Sequence, residues 1–319
     1  MTKRTKNLLI IGGILIIVGL VAALIGLISI KFDFSKLDRS SYVTNNHVLN
    51  DSFDDIIINS NTADIEFFLS TDGQNKVECF ESEKEKHQVI VSNNKLEINV
   101  TNKQKWYDYI GFNFKTPTVK IYLNKNTFNN LIINEDTGNI NISKEFCFTS
   151  INIKASTGNV ICHANSLELT KIHLSTGNVE LNGLTSKIID IDASTGDICL
   201  NNIISSNIKI NLSTGKTTLT NVQTNILLSD GSTGDIILNN VIGSKFMIER
   251  STGDVKFNKS DAQEIYIETD TGDIKGTLLS NKIFQYETDT GDVDLPSIMS
   301  GGKCVIETDT GDIKISIEK

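Results

Sequence analysis

Proline is nearly absent from this sequence, with two in 319 residues, and only 7% of the residues are aromatic. Glycine is common by contrast, with 22 residues, and 39% of the chain is apolar. This composition suits a β-rich globular protein with many corners and gives no sign of disorder. The chain is also long enough to enclose a sizeable core.

Residues that build metal centres and disulfide frameworks are scarce. The five cysteines are odd in number and none has the C-x-x-C spacing, so the sequence predicts neither a disulfide framework nor a zinc site. The four histidines are scattered, without a partner at the spacing of a metal site or a catalytic triad. No glycine-rich phosphate loop follows a strand, and the net charge of −9 argues against nucleic acid as a partner. We therefore expect no catalytic residue and no organic cofactor.

A four-residue turn with threonine and glycine at its centre recurs through the C-terminal part of the chain, as in Ser156-Thr157-Gly158-Asn159. The copies are 19 residues apart, with a spacing of 20 at each end of the series. Glycine accepts a positive φ at no steric cost, and Ser or Asp two residues earlier can bond the local backbone, so each copy predicts a tight corner. The corner glycines are Gly138, Gly158, Gly177, Gly196, Gly215, Gly234, Gly253, Gly272, Gly291 and Gly311.

Apolar residues keep fixed distances from these glycines. Around Gly177, for example, Ile172 lies five residues before and Val179 two after, and further apolar positions lie seven before and four after the corner. Alternation of period two turns one face of each strand inward, and stacked repeats bury a continuous core. The sequence thus predicts an all-β fold, a single-stranded parallel β-solenoid (β-helix) of about ten 19-residue rungs over residues 131–319, where a rung is one turn of the solenoid.

Polar residues also recur at fixed positions of the repeat. Asparagines follow the second strand, as at Asn182 and Asn202, and would stack into a hydrogen-bonded ladder along the axis. One more copy, Asn61-Thr62-Ala63-Asp64, has alanine in the place of glycine. Because alanine disfavours a positive φ, we expect the corner at Ala63 to differ from the others.

The amino terminus combines a basic start with a long apolar run. Residues 1–7 carry three cations, and the uncharged residues 8–30 would span roughly 35 Å as a helix, enough to cross a bilayer. A cleaved signal peptide is the alternative, but its apolar region is usually about 7 to 15 residues long, so we favour an uncleaved transmembrane helix. The early cations favour a cytoplasmic stub at residues 1–7 and an extracellular solenoid, a single-pass protein of the cell membrane.

Two segments separate this helix from the regular rungs. Residues 31–50 are predicted to form a polar tether, and residues 51–130 a degenerate first rung and a β-rich cap, which a solenoid needs to cover its terminal core. The cap includes a loop with Trp106, Tyr107 and Tyr109. The alternative interpretation is that these aromatic residues form a binding surface.

The tripeptide Asp-Thr-Gly, a signature of aspartic proteases, occurs at four of the corners. The enzyme needs two such aspartates that converge on one water molecule, whereas Ser-Thr-Gly fills the same position in the six other rungs. The tripeptide therefore indicates a corner and not a protease.

Acidic residues are concentrated in the last three repeats. If these repeats stack in sequence order, equivalent carboxylates form columns in which neighbouring carboxylates are about 4.8 Å apart. Repulsion within each neighbouring pair would then destabilise the fold by about 1 kcal/mol. Screening by solvent is one way to relieve this repulsion, and a divalent cation such as Ca²⁺ is the other, because hard cations favour oxygen ligands. The candidate metal ligands are Asp270, Asp273, Asp289, Asp292, Asp309 and Asp312.

The Ser/Asp-Thr-Gly-Asp corners, the Asn61-Thr62-Ala63-Asp64 copy and the strand at residues 119–123 resemble the bacterial "putative adhesin" domain family of unknown function, over about residues 51–319. The resemblance implies a β-solenoid at the cell surface. Membrane-anchored members are similar to cell-envelope proteins of Gram-positive bacteria. The family offers no catalytic residues to carry over, so the resemblance implies no enzymatic activity.

We expect a non-enzymatic, membrane-anchored protein of the cell envelope that acts as an adhesin, scaffold or binding module. Its partners would be the membrane, through residues 8–30, and a protein or a cell-wall polysaccharide. One alternative is a sensor or regulator that contacts another membrane protein through the glycines of the helix. The other is a polysaccharide-active enzyme, which would need two carboxylates flanking a groove.

Overall fold

The computed structural model describes residues 2–33, 41–102 and 115–318. One helix, α1 Lys3–Ser29, precedes a continuous set of hydrogen-bonded strands. The strands are β1 Tyr42–Leu49, β2 Asp55–Thr62, β3 Asp64–Leu69, β4 Asn75–Ser82, β5 Glu85–Ser92, β6 Lys95–Asn102, β7 Thr118–Leu123, β8 Thr127–Thr137, β9 Ile140–Ile142, β10 Cys147–Thr157, β11 Val160–Cys162, β12 Asn165–Thr176, β13 Val179–Asn182, β14 Thr185–Thr195, β15 Ile198–Thr214, β16 Thr217–Thr233, β17 Ile236–Thr252, β18 Val255–Asn258, β19 Asp261–Thr271, β20 Ile274–Leu278, β21 Lys282–Thr290, β22 Val293–Asp294, β23 Gly302–Thr310 and β24 Ile313–Ile317.

Equivalent strands of successive repeats pair in parallel and in register. Ile153 of β10 is opposite Ile172 of β12, which in turn is opposite Ile191 of β14. All three side chains are buried, as the alternation of apolar residues predicts. The parallel β-solenoid of about ten rungs is confirmed.

The corner glycines form a column in which the backbones of neighbouring rungs nearly touch. The backbone N–H of Gly196 donates to the carbonyl of Thr214 at 3.0 Å. A Cβ atom added to Gly215 would overlap the carbonyl oxygen of Gly196, and the same clash recurs along the column. Glycine is therefore required here by the close approach of two chains as well as by its backbone conformation.

Polar ladders run beside the glycine column. The Nδ2 atom of Asn202 donates to Asn182, that of Asn221 to Asn202, and that of Asn240 to Asn221, at 3.0 to 3.3 Å. The predicted asparagine ladder is confirmed. At most corners the Asn or Asp after the glycine accepts a bond from the next rung, as when the backbone N–H of Asp197 donates to Oδ1 of Asn178 at 2.8 Å. Lys216, which follows Gly215, has no side-chain acceptor and interrupts this series.

The degenerate copy belongs to the same column. A Cβ on Gly138 would overlap the carbonyl of Ala63, so Ala63 is stacked directly on the first regular corner. Ala63 is not among the described residues with a positive φ, and its corner differs from the glycine corners as expected.

The N-terminal end is built differently from the predicted division into a tether and a cap. Strands β6 and β7 run parallel to β2 and β3 and form a further rung on top of them. Strands β4 and β5 are antiparallel to this outer rung, and β1 is antiparallel to β4. The tether predicted for residues 31–50 was therefore wrong for residues 42–49, which extend the cap because their backbone pairs with β4 along the whole of β1.

The C-terminal end departs from sequence order. Strand β23 pairs with β19 on one side and with β21 on the other, so the last repeat lies between the two repeats that precede it. The glycine column accordingly runs from Gly272 to Gly311 and then to Gly291. The columns predicted for the last three repeats in sequence order were therefore wrong.

The residues at the inward positions explain why the repeat formed by β21 and β22 is the outermost one at the C-terminal end of the solenoid. Five residues before the corner glycine, Ile267 and Ile306 are buried, but the corresponding residue of the end repeat is Tyr286, which is 55% exposed. Tyrosine tolerates contact with water at its hydroxyl end better than isoleucine does. Val293, two residues after the corner, is also exposed in this repeat.

Helix α1 begins before the predicted span. It includes the basic residues of the predicted stub, Lys3, Arg4 and Lys6, so the stub is not separate from the helix. None of its residues is buried. Its length and composition fit a single-pass membrane anchor or a signal sequence.

We predict that Gly215→Ala destabilises the solenoid far more than Gly183→Ala. Both glycines have a positive φ, but a Cβ would clash with backbone only at Gly215, since Gly183 has nothing within 4 Å. The free energy of unfolding should fall by about 1–2 kcal/mol in Gly183→Ala and by about 3 kcal/mol or more in Gly215→Ala. Equal losses, measured by denaturant unfolding, would contradict the close approach of the backbones.

Candidate functional site

The acidic residues that follow the last corner glycines carry structural hydrogen bonds. Oδ1 of Asp273 accepts from the backbone N–H of Asp312 at 2.8 Å, and Oδ1 of Asp312 accepts from that of Asp292 at 3.0 Å. Asn178 has the same role in the middle rungs. One oxygen of Asp273 and one of Asp312 are thus used to close the corners.

Lysines pair with the other carboxylate oxygens of Asp273 and Asp312. Nζ of Lys275 lies 2.6 Å from Oδ2 of Asp273 and 3.7 Å from Oδ2 of Asp312, and Nζ of Lys314 lies 2.8 Å from the latter. The bond from Lys275 lowers the pKa of Asp273, and the bond from Lys314 lowers the pKa of Asp312 to about 2. Lysines of the same rungs therefore relieve much of the repulsion that the sequence led us to expect.

Three of the candidate metal ligands, Asp270, Asp289 and Asp309, are exposed on the other side of the corner. In the part of the chain that the structure describes, the one group of three potential ligand atoms within 4.8 Å of one another contains none of the six aspartates. Calcium binding by these aspartates stays a prediction, and a cation there would compete with Lys275 and Lys314.

The predicted aromatic surface of Trp106, Tyr107 and Tyr109 lies outside the described residues, so it stays a prediction. The strands on either side of this loop, β6 and β7, form the outer rung of the cap.

A group of buried polar side chains lies where the cap meets the first rung. The Nδ1 atom of His87 is 2.8 Å from Oε2 of Glu81, and its Nε2 atom is 3.1 Å from Oγ of Ser60. Asn45 donates to Oε1 of Glu81 at 2.6 Å, and the Cys79 sulfur is within 4.8 Å of the ligand atoms of Glu81 and His87. We refer to Cys79, Glu81 and His87 as the cap cluster.

The cap cluster was not predicted from the sequence. The expectation that the histidines lack partners was wrong for His87, because a two-residue turn between β4 and β5 brings it back beside Glu81. The available signal was the pair Cys79 and Glu81, which share one strand face, followed by a histidine just past a turn. Burial disfavours the charged form of Glu81, but bonds from His87 and Asn45 outweigh it and lower its pKa.

Glu135 is a second buried ionisable residue, next to the cap cluster. It stands opposite Ser60 in the pairing of β8 with β2, and its Oε1 accepts from the backbone N–H of Ala63 at 3.2 Å. Its Oε2 has no hydrogen-bond partner among the described residues. Burial raises the pKa of Glu135 to about 7 in spite of these bonds.

An open groove of about 590 Å³ runs along one side of the middle rungs. Its floor includes the column Thr185, Ile204, Gln223 and Ile242, which are opposite one another in successive strands. Ile204 is 55% exposed and Ile242 39%. Hydroxyl and amide side chains, chiefly of serine, threonine and asparagine, surround these aliphatic residues.

The repeat and its corners identify the family. The family model described as Toastrack DUF4097 matches residues 53–225 and 204–319, which together cover most of the chain. The chain belongs to the Toastrack DUF4097 family. This confirms the resemblance drawn from the corner sequences, and the match begins at Phe53, in the degenerate first rung.

Solved structures from several bacteria are similar to this Toastrack chain. A "putative adhesin" of Bacteroides fragilis NCTC 9343 is 16% identical, with 88% of this chain and 99% of that chain covered and a TM-score of 0.43. A "putative lipid binding protein" of Parabacteroides distasonis ATCC 8503 is 15% identical, with coverages of 73% and 96% and a TM-score of 0.49. A "putative adhesin" of Parabacteroides merdae ATCC 43184 is 11% identical, with coverages of 86% and 97% and a TM-score of 0.46. No curated protein matches the chain.

We predict that Glu135→Gln changes the pH dependence of stability. Because the folded state raises the pKa of Glu135 from 4.5 to about 7, the folded protein binds this proton more tightly than the unfolded chain. The contribution of Glu135 to the free energy of unfolding should therefore fall as pH rises from 4.5 to 7 and stay low above 7. The size of this loss is on the order of 2–3 kcal/mol.

The measurement is denaturant unfolding of the parent and of Glu135→Gln at pH 4.5 and pH 8. The variant should gain stability relative to the parent on going to pH 8, because its amide cannot ionise. A stability difference that is the same at both pH values would show that Glu135 does not titrate in this range.

Proposed function

We propose that this Toastrack protein is a non-enzymatic binding module of the cell envelope, held at the membrane by α1 with the solenoid outside, and that it binds a protein partner along the groove of the middle rungs. The observation that carries this proposal is the exposed aliphatic column of the groove. Exposed aliphatic residues set among polar ones are typical of protein interaction surfaces.

The arrangement of the groove supports a protein partner. Ile204 and Ile242 are two rungs apart with Gln223 between them, so apolar and hydrogen-bonding side chains alternate along the axis. Leu167, at one end of the groove, is 60% exposed. A partner that covered this column would remove apolar area from water and find hydroxyl and amide groups for its own polar atoms.

The helix supports the proposed placement. None of its residues is buried in the isolated chain, and the apolar run is long enough to cross a bilayer. The early cations favour a cytoplasmic amino terminus, which would place the solenoid outside. The corner carboxylates are engaged by backbone N–H groups and lysines, which supports a structural role for them over a catalytic one.

A membrane-impermeant, thiol-reactive photo-crosslinker on intact cells tests placement and binding together. Ile204→Cys places the thiol in the groove, and Ile90→Cys is the matched control, an aliphatic residue of β5 that is 40% exposed and lies outside the groove. The unsubstituted protein controls for its five native cysteines.

We expect the reagent to label both variants, and illumination to produce a crosslinked protein product from Ile204→Cys only. Failure of both variants to react would contradict the extracellular placement. Equal crosslinking from the two positions, or none from Ile204→Cys after efficient labelling, would contradict the groove as the binding surface.

A further inference from the structure

The cap cluster brings three different ligand types to one buried point. Cys79 and Glu81 are two residues apart on β4, so their side chains leave the same face of the strand. The turn at residues 83–84 returns His87 to that face on β5. One ligand atom from each residue lies within 4.8 Å of the other two, and all three residues are buried.

This donor set is typical of sites for zinc-like cations. Zinc is bound in proteins by cysteine sulfur, histidine nitrogen and carboxylate oxygen, most often in fourfold coordination. Calcium and magnesium favour sites made of oxygen atoms alone, so the sulfur and the imidazole select against them. Three protein ligands leave one coordination position for water or a further ligand.

Neighbouring groups already hold the ligands in place. Asn45 donates to Oε1 of Glu81 at 2.6 Å, which leaves Oε2 on the side of His87. The far nitrogen of His87, Nε2, is 3.1 Å from Oγ of Ser60. A hydrogen bond from the far nitrogen is what fixes the ring of a metal-binding histidine in known sites.

We propose that Cys79, Glu81 and His87 form a binding site for one zinc-like divalent cation in the N-terminal cap. Binding displaces the proton of the Cys79 thiol into solution. The proton that Nδ1 of the neutral imidazole donates to Oε2 leaves Nδ1 and is replaced, through solvent, by one on Nε2, where it is donated to Ser60, whose hydroxyl rotates to accept it. The Oε2 and Nδ1 atoms that now share a hydrogen bond both become ligands.

The site joins four separate strands of the N-terminal end. Its ligands belong to β4 and β5, and the groups that position them belong to β1, through Asn45, and β2, through Ser60. A bound cation would therefore fasten the antiparallel part of the cap to the first rung. Stabilisation of the folded chain by the cation follows from linkage, since the unfolded chain does not hold these ligands together.

The test uses the full chain in detergent and Zn²⁺ alone as the probe. Metal content after equilibration with Zn²⁺ and gel filtration gives the stoichiometry, and titration calorimetry gives the affinity. The variants are Cys79→Ala and His87→Gln. The matched control is Cys162→Ala, which removes another fully buried cysteine that is not part of a ligand cluster.

We expect one Zn²⁺ per chain in the parent and in Cys162→Ala, a rise in the unfolding midpoint with Zn²⁺, and at least a tenfold loss of affinity in both cluster variants. Replacement by Co²⁺ should give the near-ultraviolet absorption of a thiolate ligand, and Cys79→Ala should lack it. Cooperative thermal unfolding of each variant without metal establishes that it is folded, and His87→Gln serves alone if Cys79→Ala does not fold. No bound Zn²⁺ in the parent, or undiminished binding in a folded cluster variant, would overturn the proposal and leave the cap cluster as a hydrogen-bonded structural group.

Discussion

The close approach of successive backbones at the corners is the constraint on which the rest of the structure depends. Each corner glycine lies so near the carbonyl of its neighbour that a single methyl group would force the rungs apart. Because the corners are fixed at this spacing, equal positions of the repeat become straight columns. The interior is apolar, one side carries asparagines, and Asn or Asp residues after most of the glycines accept the bond that closes the next corner.

The two ends of the solenoid meet different requirements. At the N-terminal end, the outer rung and the antiparallel strands cover the core, and the ionisable residues Glu81, His87 and Glu135 are buried at the junction. At the C-terminal end, the outermost repeat has the exposed Tyr286 at the position where most of the other repeats bury an isoleucine. The two proposed sites follow from this division, since the proposed binding groove uses the regular middle rungs and the proposed cation site uses the irregular cap.

The regular part of the fold could be predicted from the sequence because every local signal repeats. The offsets around Gly177 suffice to predict two strands, a corner and an inward face. The order of the last three rungs could not be predicted from the period, since Ile274, Val293 and Ile313 occupy equivalent positions. The one local signal was Tyr286, in a position where the other two repeats have isoleucine. His87 and Glu81 were missed for a related reason: their contact depends on an antiparallel hairpin that interrupts the period, and the spacing of the repeat carries no information about it.

Disulfide trapping at the C-terminal end tests this account most directly. It asks whether the rung next to β19 is that of β23, as in the structure, or that of β21, which follows β19 in the chain. Glu268 and Glu307 are exposed partners in adjacent strands, whereas Glu268 and Glu287 are separated by the strand of Glu307. A disulfide needs Cα atoms about 4.4–6.8 Å apart, which adjacent rungs provide and alternate rungs, about 9.6 Å apart, do not. The structure predicts a disulfide in the Glu268→Cys/Glu307→Cys double variant and none in Glu268→Cys/Glu287→Cys, and the reverse result would contradict it.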